Sequence, residues 1–243
     1  MSLNTLDKDE IIQFSKLANH WWDEEGSMSF LHAMSEIRTK FIKIELIEHF
    51  NILEKNKLFK GLNILDLGCG GGIASEPLCR LGANLTGVDE SKKLIEVAKL
   101  HAKNMKLKIN YQCTSIENLN KFKNKYDVII ALELLEHVNN LKQFCKLMTN
   151  LLNENGIIIL STINKTFLSK LFVIDMAEKV LKKIPKGTHH YEKFITPTEI
   201  KDIFNNYNFN LKTIKGINLN PINNNWKLTD NTSINYIVSL TKR

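Results

Sequence analysis

Short apolar runs alternate with helical patterns through the middle of the chain. The apolar runs predict five strands, at 63–67, 84–88, 109–112, 126–131 and 156–162. Helical spacing between most of them predicts helices at 74–81, 91–104 and 141–152. Strands that alternate with helices favour parallel pairing through right-handed crossovers. The pattern therefore predicts an α/β fold with a doubly wound, mainly parallel sheet.

Both ends of the chain depart from this alternation. A staple and capping pattern at residues 6–10 predicts a helix that ends near residue 22, and a second helix is predicted over 34–50. Because both precede the first strand, we expect them to form an N-terminal helical cap, residues 1–55. The cap belongs to a single domain that spans residues 1–243.

The C-terminal part is predicted to complete the sheet. A helical pattern over 165–184, within an inserted segment at 165–195, follows strand five, and another helix is predicted over 198–206. Two last apolar segments, 210–217 and 235–241, are expected to pair antiparallel at the edge of the sheet. The predicted sheet is therefore seven-stranded.

Composition narrows the class of protein. A hydrophobic content of 43% is that of a soluble globular chain. The four cysteines form no CxxC pair, so neither a zinc site nor a disulfide framework is predicted, and a reducing cytoplasm is favoured. The N-terminus lacks the apolar stretch of a signal peptide, and no apolar run could span a bilayer. We expect a cytoplasmic protein.

The net charge of +7 raises the question of nucleic acid. The lysines are scattered along a chain that is also rich in Asn and Ile, which favours compositional drift over a nucleic-acid footprint. We therefore predict no nucleic-acid partner.

A glycine-rich turn, DLGCGGG at 66–72, follows the first predicted strand. Glycines such as Gly68 and Gly70 suit a tight turn and let a cofactor approach bare backbone. A plain tight turn is the alternative interpretation. The preceding strand, the acidic Asp66 and the following helix together favour a nucleotide-type ligand.

Asp89 ends the second predicted strand, 17 residues beyond Gly72. At that place an acidic side chain can bind the ribose hydroxyls of a nucleoside. The alternative is a helix N-cap near Ser91, and both roles can hold together. The dinucleotide pattern G-x-G-x-x-G is absent, since Ile73 or Ser75 stands at its last position. An NAD-linked oxidoreductase is therefore disfavoured, and the loop resembles motif I of the class I S-adenosylmethionine methyltransferases.

A polar segment, ELLEH at 133–137, follows the fourth predicted strand at the expected ligand cleft. If a helical turn begins there, Glu133 shares a face with Glu136 and His137. Such a trio could bind a hard divalent cation, or one member could act as a general base. The alternative is a polar helix start with Glu near the positive end of the helix dipole.

Several further segments resemble the ubiquinone-biosynthesis O-methyltransferases, the UbiG family. They run from about residue 14 to 240, and the WWD, PKGTH and NPI segments are the most specific. The segments are WWD at 21–23, LH at 31–32 before Arg38, LDLGCGGG at 65–72, AKLHA at 98–102, ELLEHV at 133–138, STIN at 161–164, IPKGTH at 184–189, KFI at 193–195 and NPI at 220–222.

The resemblance implies an S-adenosylmethionine-dependent O-methyltransferase of ubiquinone biosynthesis. Its substrates would be polyprenylated phenols and quinols, namely 2-polyprenyl-6-hydroxyphenol and 3-demethylubiquinol, and its partners a ubiquinone-biosynthesis complex. The residues implied to contact S-adenosylmethionine are Arg38, Gly68, Asp89 and Leu132. Eukaryotic relatives are described with Mg²⁺ at the acidic-histidine segment, which implies the metal ligands Glu133, Glu136 and His137. Thr114 departs from the acidic residue that many methyltransferases carry, so adenine recognition is expected from backbone near Ser115.

The implied chemistry needs a base or a metal, because a free phenol has a pKa of about 10. His137 is the predicted base, and Glu133 would orient it or hold the metal. The runner-up is a methyltransferase that acts on a different small molecule. A basic nucleic-acid-binding domain is disfavoured, because no run of basic residues interleaved with aromatic ones lies outside 165–186.

A basic, amphipathic pattern occupies 165–186, where six lysines outnumber two acidic residues and apolar residues recur at helical spacing. This favours peripheral contact with an anionic membrane at the inner face, which would let a prenyl tail reach the cleft. The alternative is a lid helix that packs on the domain. The lysines are Lys165, Lys170, Lys179, Lys182, Lys183 and Lys186.

Overall fold

The computed structural model of the protein describes residues 5, 8–53, 57–122, 124–171, 191–220 and 225–243. Its strands are β1 (Asn63–Leu67), β2 (Asn84–Asp89), β3 (Asn110–Cys113), β4 (Tyr126–Leu132), β5 (Leu152–Ile163), β6 (Phe209–Asn220), β7 (Asn225–Thr229) and β8 (Asn235–Lys242). Its helices are α1 (Lys8–Lys16), α2 (Ser29–His49), α3 (Ser75–Arg80), α4 (Lys92–Asn104), α5 (Ile116–Leu119), α6 (Leu141–Leu151), α7 (Phe167–Ser169) and α8 (Pro197–Asn205).

The strands form one sheet in the order β3-β2-β1-β4-β5-β8-β6-β7. The first five strands pair in parallel, and β8 pairs antiparallel with both β5 and β6. The doubly wound, mainly parallel sheet is therefore confirmed, with all seven predicted strands present. An eighth strand, β7, pairs with β6 at the edge. Its five half-exposed residues carry too short a pattern to be recognised in the sequence.

The central strands are buried on both faces, which explains their uninterrupted apolar runs. In β4, Val128 and Ile130 pack in a cluster with residues of α2 and α3. Ile129 and Ala131 point to the other face, where residues of α6 and α8 cover them. The period of two along β4 thus places one helical layer on each side of the sheet.

The direction of winding reverses between β1 and β4, the topological switch point of the sheet. In open α/β sheets, ligands bind outside the carboxyl ends of the strands at this crevice. The glycine loop that follows β1 and the ELLEH turn that follows β4 both lie at this crevice.

The N-terminal and inserted segments differ from the predictions in detail. Helix α1 ends at Lys16 and a short 3-10 turn follows, whereas α2 begins five residues before the predicted start. Residues 6–7 of the capping pattern lie outside the described residues, as does 172–190, most of the predicted basic helix. Within the described ranges, no helix is long and apolar enough to cross a membrane.

Candidate functional site

The loop after β1 has a backbone that glycine alone adopts without strain. Gly70 has a φ of 52°, and a Cβ added there would come within 2.4 Å of the Trp21 ring. The Gly68 and Cys69 amides both donate to the Val88 carbonyl, at 2.8 and 3.0 Å. These bonds tie the loop to the end of β2.

Asp89 lies against this loop, as the sequence predicts. Its Oδ2 accepts a hydrogen bond from the Gly70 amide at 3.0 Å, and its Oδ1 accepts one from the Ser91 amide at 2.8 Å. Burial raises the pKa of the Asp89 carboxyl, although both amide bonds oppose the shift. The N-cap of α4 is Ser91, whose hydroxyl accepts from the Leu94 amide, so Asp89 supports the cap without being it.

A narrow cavity of about 60 Å³ gathers predicted cofactor residues from three distant segments. Arg38 comes from α2, Gly68 from the glycine loop and Leu132 from the end of β4. Asp66 also lines it, and burial raises the pKa of that carboxyl to about 7 despite a 2.6 Å hydrogen bond from the Ser75 hydroxyl. Trp21 forms another wall.

Glu133 is directed at Arg38. Its Oε1 lies 2.9 Å from Arg38 Nη2 and accepts a 2.7 Å hydrogen bond from the Ser161 hydroxyl. The Glu133 amide donates to the Ser161 carbonyl at 3.0 Å. Glu133 has a φ of 51°, a conformation uncommon for a non-glycine residue, which turns its side chain away from the segment that follows.

The ELLEH segment forms a 3-10 turn at Leu135–His137 and not an α-helix, so the predicted shared face does not form. While Glu133 pairs with Arg38, Glu136 accepts a 2.7 Å hydrogen bond from the Thr162 hydroxyl, and His137 bonds to Glu10. The part of the chain that the structure describes contains no group of three His, Cys, Asp or Glu side chains that could hold a metal ion. The residues present therefore do not fit the implied Mg²⁺ site, whose donors are dispersed among different partners.

His137 is buried and bonded through Nδ1 to Glu10 Oε2 at 3.0 Å. Burial lowers the pKa of His137, but the hydrogen bond to Glu10 and the charges of Glu136 and Glu10 outweigh it and raise the pKa above its usual value. Burial raises the pKa of Glu10, but its interactions with His137 and Lys193 outweigh burial, so the net shift is downward. Both shifts favour the charged forms of the two side chains.

Glu10 is the residue that sequence reasoning missed. It was interpreted only as part of a capping pattern, and it stands 127 positions from His137. Glu133 was expected to orient His137 or to hold a metal, and in the structure its carboxylate contacts Arg38 and Ser161.

The N-terminal cap crosses the crevice and contacts both of its sides. The Trp22 indole donates to the Gly71 carbonyl at 3.0 Å and stacks on His101 with ring centroids 3.5 Å apart. On the other side, the Phe14 ring meets the His137 ring edge-on at 5.0 Å. The WWD segment thus docks on the glycine loop, whereas PKGTH and the last two residues of NPI lie outside the described residues.

Known proteins resemble this chain in sequence. A family model described as a methyltransferase domain matches residues 34–214. The chain is 48% identical over 240 residues to a ubiquinone biosynthesis O-methyltransferase of Pelagibacter ubique (strain HTCC1062), covering 99% of this chain and 100% of that protein. It is 42% identical over 245 residues to the mitochondrial ubiquinone biosynthesis O-methyltransferase of Arabidopsis thaliana, covering 100% of this chain and 76% of that protein.

Solved structures share the fold. The magnesium protoporphyrin IX methyltransferase of Synechocystis PCC 6803 with bound S-adenosylhomocysteine has a TM-score of 0.66 at 19% identity, covering 96% of this chain and 95% of that chain. An S-adenosylmethionine-dependent methyltransferase from Clostridium acetobutylicum ATCC 824 has a TM-score of 0.66 at 18% identity, covering 95% and 99%. At these identities the likeness shows the fold alone.

Proposed function

We propose that this chain, which belongs to the ubiquinone biosynthesis O-methyltransferase family, methylates ring hydroxyls of polyprenylated phenols. The chain is an S-adenosylmethionine-dependent O-methyltransferase. Its proposed substrates are 2-polyprenyl-6-hydroxyphenol and 3-demethylubiquinol. The observation that carries the proposal is the identity of 48% over the full length of a curated relative with this activity in its name.

Several residues around the cavity at the switch point suit the chemical groups of the cofactor. Arg38 Nε is buried without a hydrogen-bond partner in the described structure, which suits a guanidinium that receives the carboxylate of the methionyl tail. Both Asp89 oxygens accept one amide bond, and each retains a lone pair for a ribose hydroxyl. Gly68 and Gly70 are proposed to let the cofactor approach the backbone closely, and Leu132 is proposed to pack on it.

S-adenosylmethionine, when bound, supplies an electrophilic methyl sulfonium. The protein must then align a phenol oxygen and remove its proton, since a free phenol has a pKa of about 10. His137 is the proposed proton acceptor. Its raised pKa makes the imidazole a stronger base. Glu10 holds the Nδ1 side of the ring and stabilises the imidazolium that forms.

The beginning of the inserted segment supports peripheral membrane contact. Phe167 is 76% exposed and Leu168 47% exposed, beside the described lysines Lys165 and Lys170. Apolar side chains next to lysines suit an anionic bilayer surface. We propose that the protein is a single domain over 1–243 in the cytoplasm, at the inner face of the membrane. We also propose contact with a ubiquinone-biosynthesis complex.

Product analysis tests the function. The protein is incubated with S-adenosylmethionine and a prenylated catechol, and a product with one added methyl group is expected by mass spectrometry. Binding of S-adenosylhomocysteine without methylation of any prenylated phenol would indicate another small-molecule methyltransferase. Thermal shifts with NADH or an oligonucleotide, and none with S-adenosylhomocysteine, would contradict the proposal altogether.

A further inference from the structure

A buried ion pair stands at the wall of the cofactor cavity. The side chains of Arg38 and Glu133 are only 6% and 16% exposed, and their charged atoms are 2.9 Å apart. Arg38 lines the cavity, and Glu133 directly follows Leu132, which also lines it. Removing two charges from water costs several kcal/mol per ion, so an isolated buried pair is weak evidence of a stability role.

The negative member of the pair is held in place. Ser161 on β5 binds the Glu133 carboxylate through its hydroxyl and the Glu133 amide through its carbonyl. The left-handed backbone at Glu133 is a strained conformation of the kind that clusters at ligand sites.

The positive member keeps an unused donor. Apart from Glu133, the described structure gives Arg38 one side-chain partner, a weak 3.8 Å contact with the Met34 sulfur, and its Nε donor stays unbonded. A buried orphan N–H is costly, which indicates that a ligand group satisfies it.

A zwitterion is the ligand that matches such a pair. The methionyl end of S-adenosylmethionine carries an α-carboxylate and an α-ammonium on the same carbon, so it presents both charges side by side. We propose that Arg38 and Glu133 act together as the receptor for this zwitterion, Arg38 for the carboxylate and Glu133 for the ammonium. The proposal rests on the cofactor site assigned above and gives Glu133 a binding role in place of a metal-binding one.

The positive charge of Arg38 favours an ammonium over a divalent cation as the ligand of Glu133. A divalent cation at Glu133 would lie close to the Arg38 guanidinium and be repelled by it. An ammonium accompanied by its own carboxylate brings the countercharge that Arg38 needs. The hydrogen bond from the Ser161 hydroxyl orients the Glu133 carboxylate.

Four ligands that differ in which of these charged groups they carry test the proposal by calorimetric titration. S-adenosylhomocysteine carries both groups, S-adenosyl-3-thiopropylamine the ammonium alone, S-adenosyl-4-thiobutyrate the carboxylate alone, and methylthioadenosine neither. Glu133→Gln should weaken the two ammonium ligands by about 10- to 100-fold, the size of a charge-assisted bond. It should leave methylthioadenosine unchanged. Arg38→Met should weaken the two carboxylate ligands in the same way.

Controls keep the outcomes distinct. Glu96→Gln on the exposed face of α4 is a matched change that should leave all four affinities unaltered. Glu133→Asp keeps the charge and should recover part of the ammonium selectivity. It also serves in place of Glu133→Gln if that variant does not fold, and its shorter side chain should then weaken the ammonium ligands selectively.

Two results would overturn the proposal. Equal weakening of all four ligands by the Glu133 variants would make the residue structural, and a loss seen only with added Mg²⁺ would make it a metal ligand. If Arg38→Met shows no carboxylate selectivity, the assignment of the cofactor site itself fails. Failure to bind S-adenosylhomocysteine would instead contradict the proposed function.

Discussion

At the scale of single residues, Asp89 holds the glycine loop and the start of α4 in addition to its proposed contact with ribose. Its carboxylate binds the Gly70 amide of the cofactor loop and the Ser91 amide at the start of α4. One side chain therefore couples the shape of the loop to the position of the next helix. Replacing Asp89 would remove the proposed ribose contact and also loosen the loop.

We predict that Asp89→Ala weakens S-adenosylmethionine binding by about 1–3 kcal/mol, because a charge-assisted bond is lost. Isothermal titration measures the effect. Asp89→Asn, which retains one acceptor oxygen, should lose less. Unchanged affinity in a folded Asp89→Ala protein would remove Asp89 from the ribose site.

The second residue-scale prediction concerns the acid limb of the pH profile. The pKa of His137 is raised by Glu10 and Glu136 in spite of burial, so deprotonation to the active base occurs above its usual pH. Glu10→Gln should move the acid limb of kcat to lower pH, and His137→Ala should lower kcat far more than cofactor affinity. Methyl-transfer rates across the pH range measure both effects.

Linkage gives an independent check on this pair. A histidine whose folded pKa is raised contributes stability that is full below its unfolded pKa of about 6.5 and is lost as pH rises through the folded pKa. Glu10→Gln should therefore destabilise the fold more in mild acid than in base. An unshifted acid limb together with a pH-independent loss of stability would leave Glu10 a purely structural residue.

At the scale of elements, the N-terminal cap covers the glycine loop. The Trp21 ring covers Gly70 and Gly71, and the remaining cavity of about 60 Å³ is far below the 300 Å³ or more of ordinary ligand pockets. The cap is anchored by Trp22 on one side of the crevice and by Glu10 on the other. We infer that Trp21 moves off the glycine loop when the cofactor binds.

Intrinsic fluorescence reports this motion, because the chain has three tryptophans, Trp21, Trp22 and Trp226. In a Trp226→Phe protein, S-adenosylhomocysteine should change the emission as Trp21 leaves the loop. In a Trp21→Phe/Trp226→Phe protein, only Trp22 remains and the change should be much smaller. Equal changes in the two proteins would show that Trp21 keeps its place.

At the scale of the whole molecule, lysines and exposed apolar side chains lie together at the described beginning of the inserted segment. Each lysine near an anionic bilayer contributes on the order of 1 kcal/mol, and salt weakens the attraction. We predict that the protein co-sediments with anionic liposomes and not with neutral ones. The Lys179/Lys182/Lys183→Glu variant should lose this binding. Equal binding to both lipids, or no loss in the variant, would indicate a lid helix instead.

Local patterns determined most of the architecture. Every predicted strand is present, and β1, β4, β5 and β8 have the strongest sequence signal because their apolar runs are buried on both faces. The glycine loop and Asp89 could also be predicted from the sequence, since a strand, a tight turn and a helix follow one another locally in this motif. Strand β7 was missed, because its pairing with β6 and not its own sequence makes it a strand.

The partners of the charged side chains were decided by the tertiary structure alone. The position of the ELLEH segment after a predicted strand indicated that it lies at the crevice. The spacing of its residues could not show that Glu133 turns back to Arg38, 95 positions earlier, or that His137 bonds to Glu10. Such contacts depend on where α1 and α2 dock, and docking depends on apolar packing spread over the whole fold. The sequence by itself therefore determined the sheet, the glycine loop and the family resemblance. The tertiary structure decided which side chain each carboxylate contacts, Arg38 for Glu133 and His137 for Glu10.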